Sequence, residues 1–204
     1  MPAKNSLKQD IEDSYYHVYS RGVNRAPIFN TEIDYVVFLS LLKRYLSTKP
    51  TKNNNGTVYP HLHYDIELLA FCLMPNHFHL LVYQSSQAAM QQLMRGVLTS
   101  YSMYFNKKYK RSGPLFEGRY KATLISSEPY LMHISRYIHL NPKKWRTYGY
   151  SSLGYYRGEL SAQWLKPGRI IELFDSLGDY LNFVEDYEAH KQQLDQIKTI
   201  LAGS

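Results

Sequence analysis

Two histidines one residue apart, His77 and His79, lie in the run Leu73-Met74-Pro75-Asn76-His77-Phe78-His79-Leu80-Leu81-Val82. Strand side chains alternate between faces, so both imidazoles fall on one side and can converge on a single cation or phosphate. Phe78, Leu80 and Val82 take the alternate, core-facing positions. A second group can join them. In a downstream helical stretch, Leu131, Ile134 and Ile138 form an apolar stripe, and His133, Tyr137 and Asn141 follow at spacings of four. Tyr137 and Asn141 can therefore address one point. The plainer alternative makes Tyr137 a boundary aromatic and Asn141 a helix cap before Pro142.

Positioning these groups requires a scaffold, and the hydrophobic periods supply one. Ser14 to Val23 alternates as a first strand and runs into the turn Arg21-Gly22-Val23-Asn24-Arg25. Glu32 to Leu46 has helical spacing, with Tyr35, Phe38, Leu39, Leu42 and Leu46 on one face. Ser47 to Pro60 lacks a period and reads as a long exposed loop, mobile at its Asn53–Gly56 tip. His63 to Met74 reads as a second strand, which Pro75-Asn76 turns into the strand bearing the histidines. A second long helix spans Gln87 to Phe105, a short strand spans Lys121 to Ser126, and Ser127-Glu128-Pro129 opens a helix closing near Asn141-Pro142.

The order βαββαβ plus a helix predicts an α+β chain with a ferredoxin-like antiparallel sheet. Both crossover helices cover one face, so the helix carrying Tyr137 can lie across the open face, where His77 and His79 project. Residues 1–157 are expected to form this domain, with 1–13 flexible, and residues 158–204 a C-terminal helical extension.

Composition narrows the function. A 44% hydrophobic and 20% charged chain of 204 residues is neither disordered nor fibrous. The one cysteine, Cys72, excludes an internal disulfide framework and thiolate zinc sites. No apolar leader or membrane-length run is visible, so a cytoplasmic protein is expected. The net charge of +7 suits a polyanion, and its distribution is uneven. Between Met94 and Lys121, Arg95, Lys107, Lys108, Lys110, Arg111, Arg119 and Lys121 face the single acid Glu117. Twenty tyrosines offer stacking surfaces for unpaired bases as well as core packing.

Four segments together resemble a known family: Ser20-Arg21-Gly22-Val23-Asn24-Arg25, Met74-Pro75-Asn76-His77-Phe78-His79, Gly113 to Lys121, and Arg136-Tyr137-Ile138-His139-Leu140-Asn141-Pro142. In this order they resemble the single-tyrosine HUH transposases, in particular their REP-associated branch, over roughly residues 14 to 157. The resemblance implies a nuclease and strand transferase acting on single-stranded, hairpin-forming DNA through a covalent 5′-phosphotyrosine. Tyr137 would be the nucleophile, and His77 and His79, with Asn141 as third ligand, would hold Mg²⁺ or Mn²⁺. A phenol of pKa about 10 needs such a cation to stabilise its developing charge. Imidazoles alone favour later metals, and phosphate oxygens and water would complete the octahedron.

Arg119 and Lys121 read as phosphate contacts near the site, Lys107, Lys108, Lys110 and Arg111 as an extension of the track, and Arg21 and Asn24 as neighbours of the site. Glu117 either pairs with Arg119 or reads a base amine. His133 and His139 read as helix surface or rim, and His61 and His63 lack a third metal ligand. The branch implies a monomer completing its site in cis, with a tyrosine-exchanging dimer as the alternative, nucleoid-associated when bound to DNA. Two other classes remain open: a non-catalytic single-strand-binding module on a ferredoxin-like sheet, and a metal-dependent hydrolase that uses water.

Overall fold

A computed structural model describes residues 9–186. Strands β1 (Ser14–Arg21), β2 (Ile66–Met74), β3 (His77–Gln84) and β4 (Lys121–Ile125) form one antiparallel sheet in the order β2-β3-β1-β4. Helices α1 (Glu32–Leu46) and α2 (Ala89–Lys108) make the two crossovers. This is the expected ferredoxin-like arrangement, with the histidine strand central.

The period-two patterning sorts the side chains into two cores. Val18, Phe71, Leu73, Phe78, Leu80 and Val82 bury against Phe38, Leu42, Leu93 and Val97 of α1 and α2. On the other face, Ala70, Cys72 and Leu81 pack under helix α3 (Glu128–His139), whose Leu131, Ile134 and Ile138 form the predicted apolar stripe. The helix bearing Tyr137 thus covers the face left open by the crossovers.

The first described residues and the β2 edge are secured by specific bonds. Asp10 receives the Ala88 N–H at 2.9 Å and the Gln84 side chain at 2.9 Å, and the Tyr16 hydroxyl donates to the Gln9 carbonyl. Residues 9–13, expected to be flexible, are therefore tied to the sheet, and residues 1–8 lie outside the described chain. Edge strand β2 would expose unpaired backbone groups. Residues after Pro142 cover it: Leu73 N–H donates to the Tyr150 carbonyl, Ser152 N–H to the Phe71 carbonyl, and Lys166 N–H to the Leu68 carbonyl.

Beyond this cover lie helices α4 (Leu153–Tyr156), α5 (Gly168–Ile171) and α6 (Leu177–Glu185). Ile170, Tyr180 and Val184 share one core with α3, so the described part of the C-terminal extension packs as part of the domain; its remainder, 187–204, lies outside the described residues. The long loop carries a small hairpin at Lys52 and Val58. Among the described residues no helix is long and apolar enough to cross a membrane.

Candidate active site

Three cross-strand rows build the floor of the site. His77 lies between Met74 and Arg21, His79 between Cys72 and Tyr19 with Lys121 beyond, and Leu81 between Ala70 and His17 with Thr123 beyond. Paired strand residues share a face, so His77, His79, His17, Tyr19, Arg21 and Lys121 occupy the same side, beneath α3.

Tyr137 comes down from α3 onto this floor. Its ring stands edge-on to His79 at 5.4 Å between centroids and to His17 at 6.0 Å, and His77 and His79 are 5.0 Å apart. Helix α3 ends at His139, and Asn141 follows in a final tight turn with its N–H on the Ile138 carbonyl. Its side-chain oxygen lies 3.2 Å from Nε2 of His77. The four residues expected to meet do so within one chain.

Burial sets the protonation of the cluster. Desolvation lowers the His77 pKa to about 4, helped by the positive Arg21, and holds His79 well below the usual imidazole range. Both rings are neutral at physiological pH, the form that ligates a metal. Burial likewise raises the Tyr137 phenol to about 12, against which hydrogen bonding to Asn141 and the charge of Arg21 act. A buried phenol attacks only with cationic help.

The donor set around His77 favours a cation. Its Nδ1 lies 2.7 Å from the Asn76 side-chain oxygen and its Nε2 3.2 Å from that of Asn141. A neutral imidazole has one N–H and satisfies only one of these acceptors. With the proton on Nδ1, the Nε2 lone pair faces the Asn141 oxygen. Two cis ligands around an octahedral Mg²⁺ stand about 3 Å apart, so the pair is spaced as metal ligands are. Among the described residues no group of three or more His, Cys, Asp or Glu side chains could hold a metal ion. The oxygen-bearing group beside the two imidazoles is the amide of Asn141.

The turn after β1 braces this corner. Ile28 and Phe29 N–H groups donate to the Pro75 carbonyl, Gly22 N–H to the Asn76 carbonyl, and the Asn76 side chain to the Arg25 carbonyl. Gly22 is required by close approach, since a Cβ there would stand 2.1 Å from the Ala26 carbonyl oxygen. Asn24 and Arg25 both have positive φ, 53° and 57°, and exposed side chains. Arg21 is exposed opposite His77.

The other cations do not gather as one track. Lys107 and Lys108 form the last turn of α2, in the layer opposite the histidines, and Lys108 is held inward by buried Asp34 at 2.7 Å. Arg111 bonds the Asn106 side chain at 3.2 Å, and Lys110 has a positive φ of 49°. Arg119 lines a groove of about 1140 Å³ between α2 and the 113–120 segment, together with Arg95, Gln91, Asn106 and Phe116. That groove contains none of His77, His79 or Tyr137. Among the described residues no ion pair joins Glu117 to Arg119.

One histidine reading changes, and one histidine joins the site that the sequence did not single out. His139 is not at a rim: it is fully buried, bonded at 2.7 Å to both Ser152 and Tyr180, and fastens α3 to the C-terminal segment. His17, which sequence reasoning missed, lies in the cluster itself. The signal was the alternation Tyr15, His17, Tyr19, Arg21 on one strand face, whose neighbour only the sheet register identifies. His61 and His63 bond the Ser47 and Leu46 carbonyls at the end of α1.

Comparison with known proteins agrees with this architecture. No curated protein matched the chain. A solved structure of a REP-associated tyrosine transposase bound to a REP hairpin is similar, with TM-score 0.53 and 12% identity, covering 85% of this chain and 96% of that one. A candidate transposase from Deinococcus radiodurans R1 aligns with TM-score 0.39 and 17% identity, covering 68% and 95%. The model of the IS200-like transposases matches residues 10–141, which take in both strand histidines, Tyr137 and Asn141, and the chain belongs to that family.

Proposed function

We propose that the protein is a metal-dependent endonuclease and strand transferase for single-stranded, hairpin-containing DNA, working through a phosphotyrosine on Tyr137. The observation that carries this reading is the meeting of Tyr137, His77, His79 and Asn141 in one corner of one chain. Because the phenol and the imidazoles belong to the same chain, the site needs no partner's tyrosine, and we propose a monomer.

The phenolic oxygen attacks the scissile phosphorus, the P–O3′ bond breaks, and the departing strand leaves as a 3′-OH. The phenolic proton is lost, and a 5′-phosphotyrosine remains. Attack by an incoming 3′-OH reverses the step and joins strands. His77 through Nε2, His79, and Asn141 through its side-chain oxygen would hold Mg²⁺ or Mn²⁺, which supplies charge neutralisation at the phosphate and the phenolate. Asn141, one turn after Tyr137 and acting to lower the pKa of its phenol, would orient nucleophile and ligand together. Arg21, Asn24 and Lys121, on the catalytic side, are the nearest proposed DNA contacts. Arg119, Lys107, Lys110 and Arg111 serve more distant phosphates, and Lys108 is left out because Asp34 holds it. A hairpin partner is proposed by analogy with the similar structure, which was bound to a REP hairpin.

The test is incubation with end-labelled hairpin DNA and Mn²⁺, followed by a denaturing gel. The wild type should yield a protein-linked label, and Tyr137→Phe should bind DNA but yield none. Cleavage without an adduct would make the protein a water-using hydrolase. Binding without cleavage by the wild type would make it a non-catalytic module.

A further inference from the structure

We infer that His17 is the positioning residue of His79, holding that ring by Nδ1 so that Nε2 is presented to the cation. The inference rests on the metal-site reading above. His17 lies on β1, is fully buried, and places Nε2 2.9 Å from Nδ1 of His79, the rings 5.0 Å apart and inclined by 21°.

Two neutral imidazoles joined by one such bond have two arrangements. If His17 donates, the proton of His79 sits on Nε2 and blocks ligation there. If His79 donates from Nδ1, its Nε2 presents a lone pair. Only the second arrangement makes His79 a ligand, and it requires His17 to accept. A metal-bound histidine commonly donates its other N–H to such an outer partner, which fixes tautomer and ring orientation. Carboxylates and carbonyls usually play that part, and here the buried acceptor is an imidazole.

The same arrangement places the proton of His17 on Nδ1. That atom is buried and has no hydrogen-bond partner. The residue paired with His17 on β4 is Thr123, whose hydroxyl oxygen is also buried and without a partner. The hydroxyl can accept from or donate to His17, so it accommodates the ligating tautomer without selecting it, and the choice rests on the His17–His79 contact. Tyr137 is edge-on to both rings, so a rotation of His79 would also displace the phenol.

The test uses the full chain without DNA. Mn²⁺ affinity is measured by electron paramagnetic resonance for wild type, His17→Met, His17→Gln and His79→Ala, with thermal melts for each. The Gln variant retains an acceptor near the position of Nε2, and the Met variant does not. His17→Met should weaken Mn²⁺ binding by about 10- to 100-fold, while His17→Gln stays within about threefold of wild type. A long-range ¹H–¹⁵N spectrum of the wild type with Mg²⁺ should show His79 protonated on Nδ1, a readout that does not depend on the Met variant folding. Wild-type affinity in His17→Met, or a proton on Nε2 of His79 with Mg²⁺ bound, would overturn the inference. If His79→Ala abolishes binding and His17→Met does not, only this inference fails. If the wild type binds no Mn²⁺, the metal-site reading fails with it.

Discussion

Three buried histidines, His17, His79 and His139, and the half-buried His77, held in neutral form, should make the protein acid-labile above the carboxylate range. Burial lowers His17 to about 3, His77 to about 4 and His139 to about 3, and holds His79 well below its usual value. An unfolded imidazole titrates near 6.5, so as pH falls below that value the unfolded chain takes up protons that the folded chain refuses. The stabilisation is therefore complete above about 6.5 and is lost as pH falls toward the folded pKa values, at up to about 1.4 kcal/mol per pH unit for each histidine. At about pH 5 this is roughly 2 kcal/mol each, so roughly 6 kcal/mol for His17, His77 and His139 together, against a typical total of about 5–15 kcal/mol. Urea denaturation followed by circular dichroism between about pH 7 and about pH 5 measures it directly. The slope should correspond to uptake of several protons on unfolding, and His139→Gln should remove about one of them. A stability that changes by less than about 1 kcal/mol over this interval would refute the neutral assignment of these rings.

Three further outcomes follow from particular contacts. Asp34 is fully buried and accepts from the Asn30 and Thr31 N–H groups, the Tyr104 and Tyr109 hydroxyls and Lys108. Burial pushes its pKa up, but these donors hold it well below the usual carboxylate range. Asp34→Asn should cost about 3–5 kcal/mol in denaturant melts, and a loss under about 1 kcal/mol would contradict its place as the hub joining α1 to α2. Gly22→Ala forces a Cβ against the Ala26 carbonyl. It should destabilise by about 1–3 kcal/mol and slow adduct formation by displacing the turn that braces Asn76. Lys121→Ala should weaken single-strand binding at all sequences and reduce the salt slope by about 1, whereas Lys108→Ala should mainly destabilise the fold.

The fold was legible because its elements carry clean periods. Phe78, Leu80 and Val82 set the face of β3, and Leu131, Ile134 and Ile138 set that of α3. The βαββαβ order then fixed which face Tyr137 covers. What stayed hidden depends on pairing between distant segments. His17 meets His79 across 62 residues through a strand register that neither strand contains alone. Lys108 reads as a free cation until α1 brings Asp34 beside it, and the helix runs on to Lys108 because its last turn packs there. His139 looked peripheral because its burial comes from Ser152 and Tyr180, in a segment with weak patterning that covers the β2 edge.

The central claim is that the oxygen of Tyr137 becomes esterified to DNA. The most direct measurement is tandem mass spectrometry of the protein–DNA adduct, trapped with hairpin DNA and Mn²⁺, trimmed with nucleases and digested. A nucleotide or phosphate mass on the peptide containing Tyr137, and on that residue, is the predicted result. Strand cleavage that leaves every tyrosine unmodified, or an adduct at another residue, would contradict it.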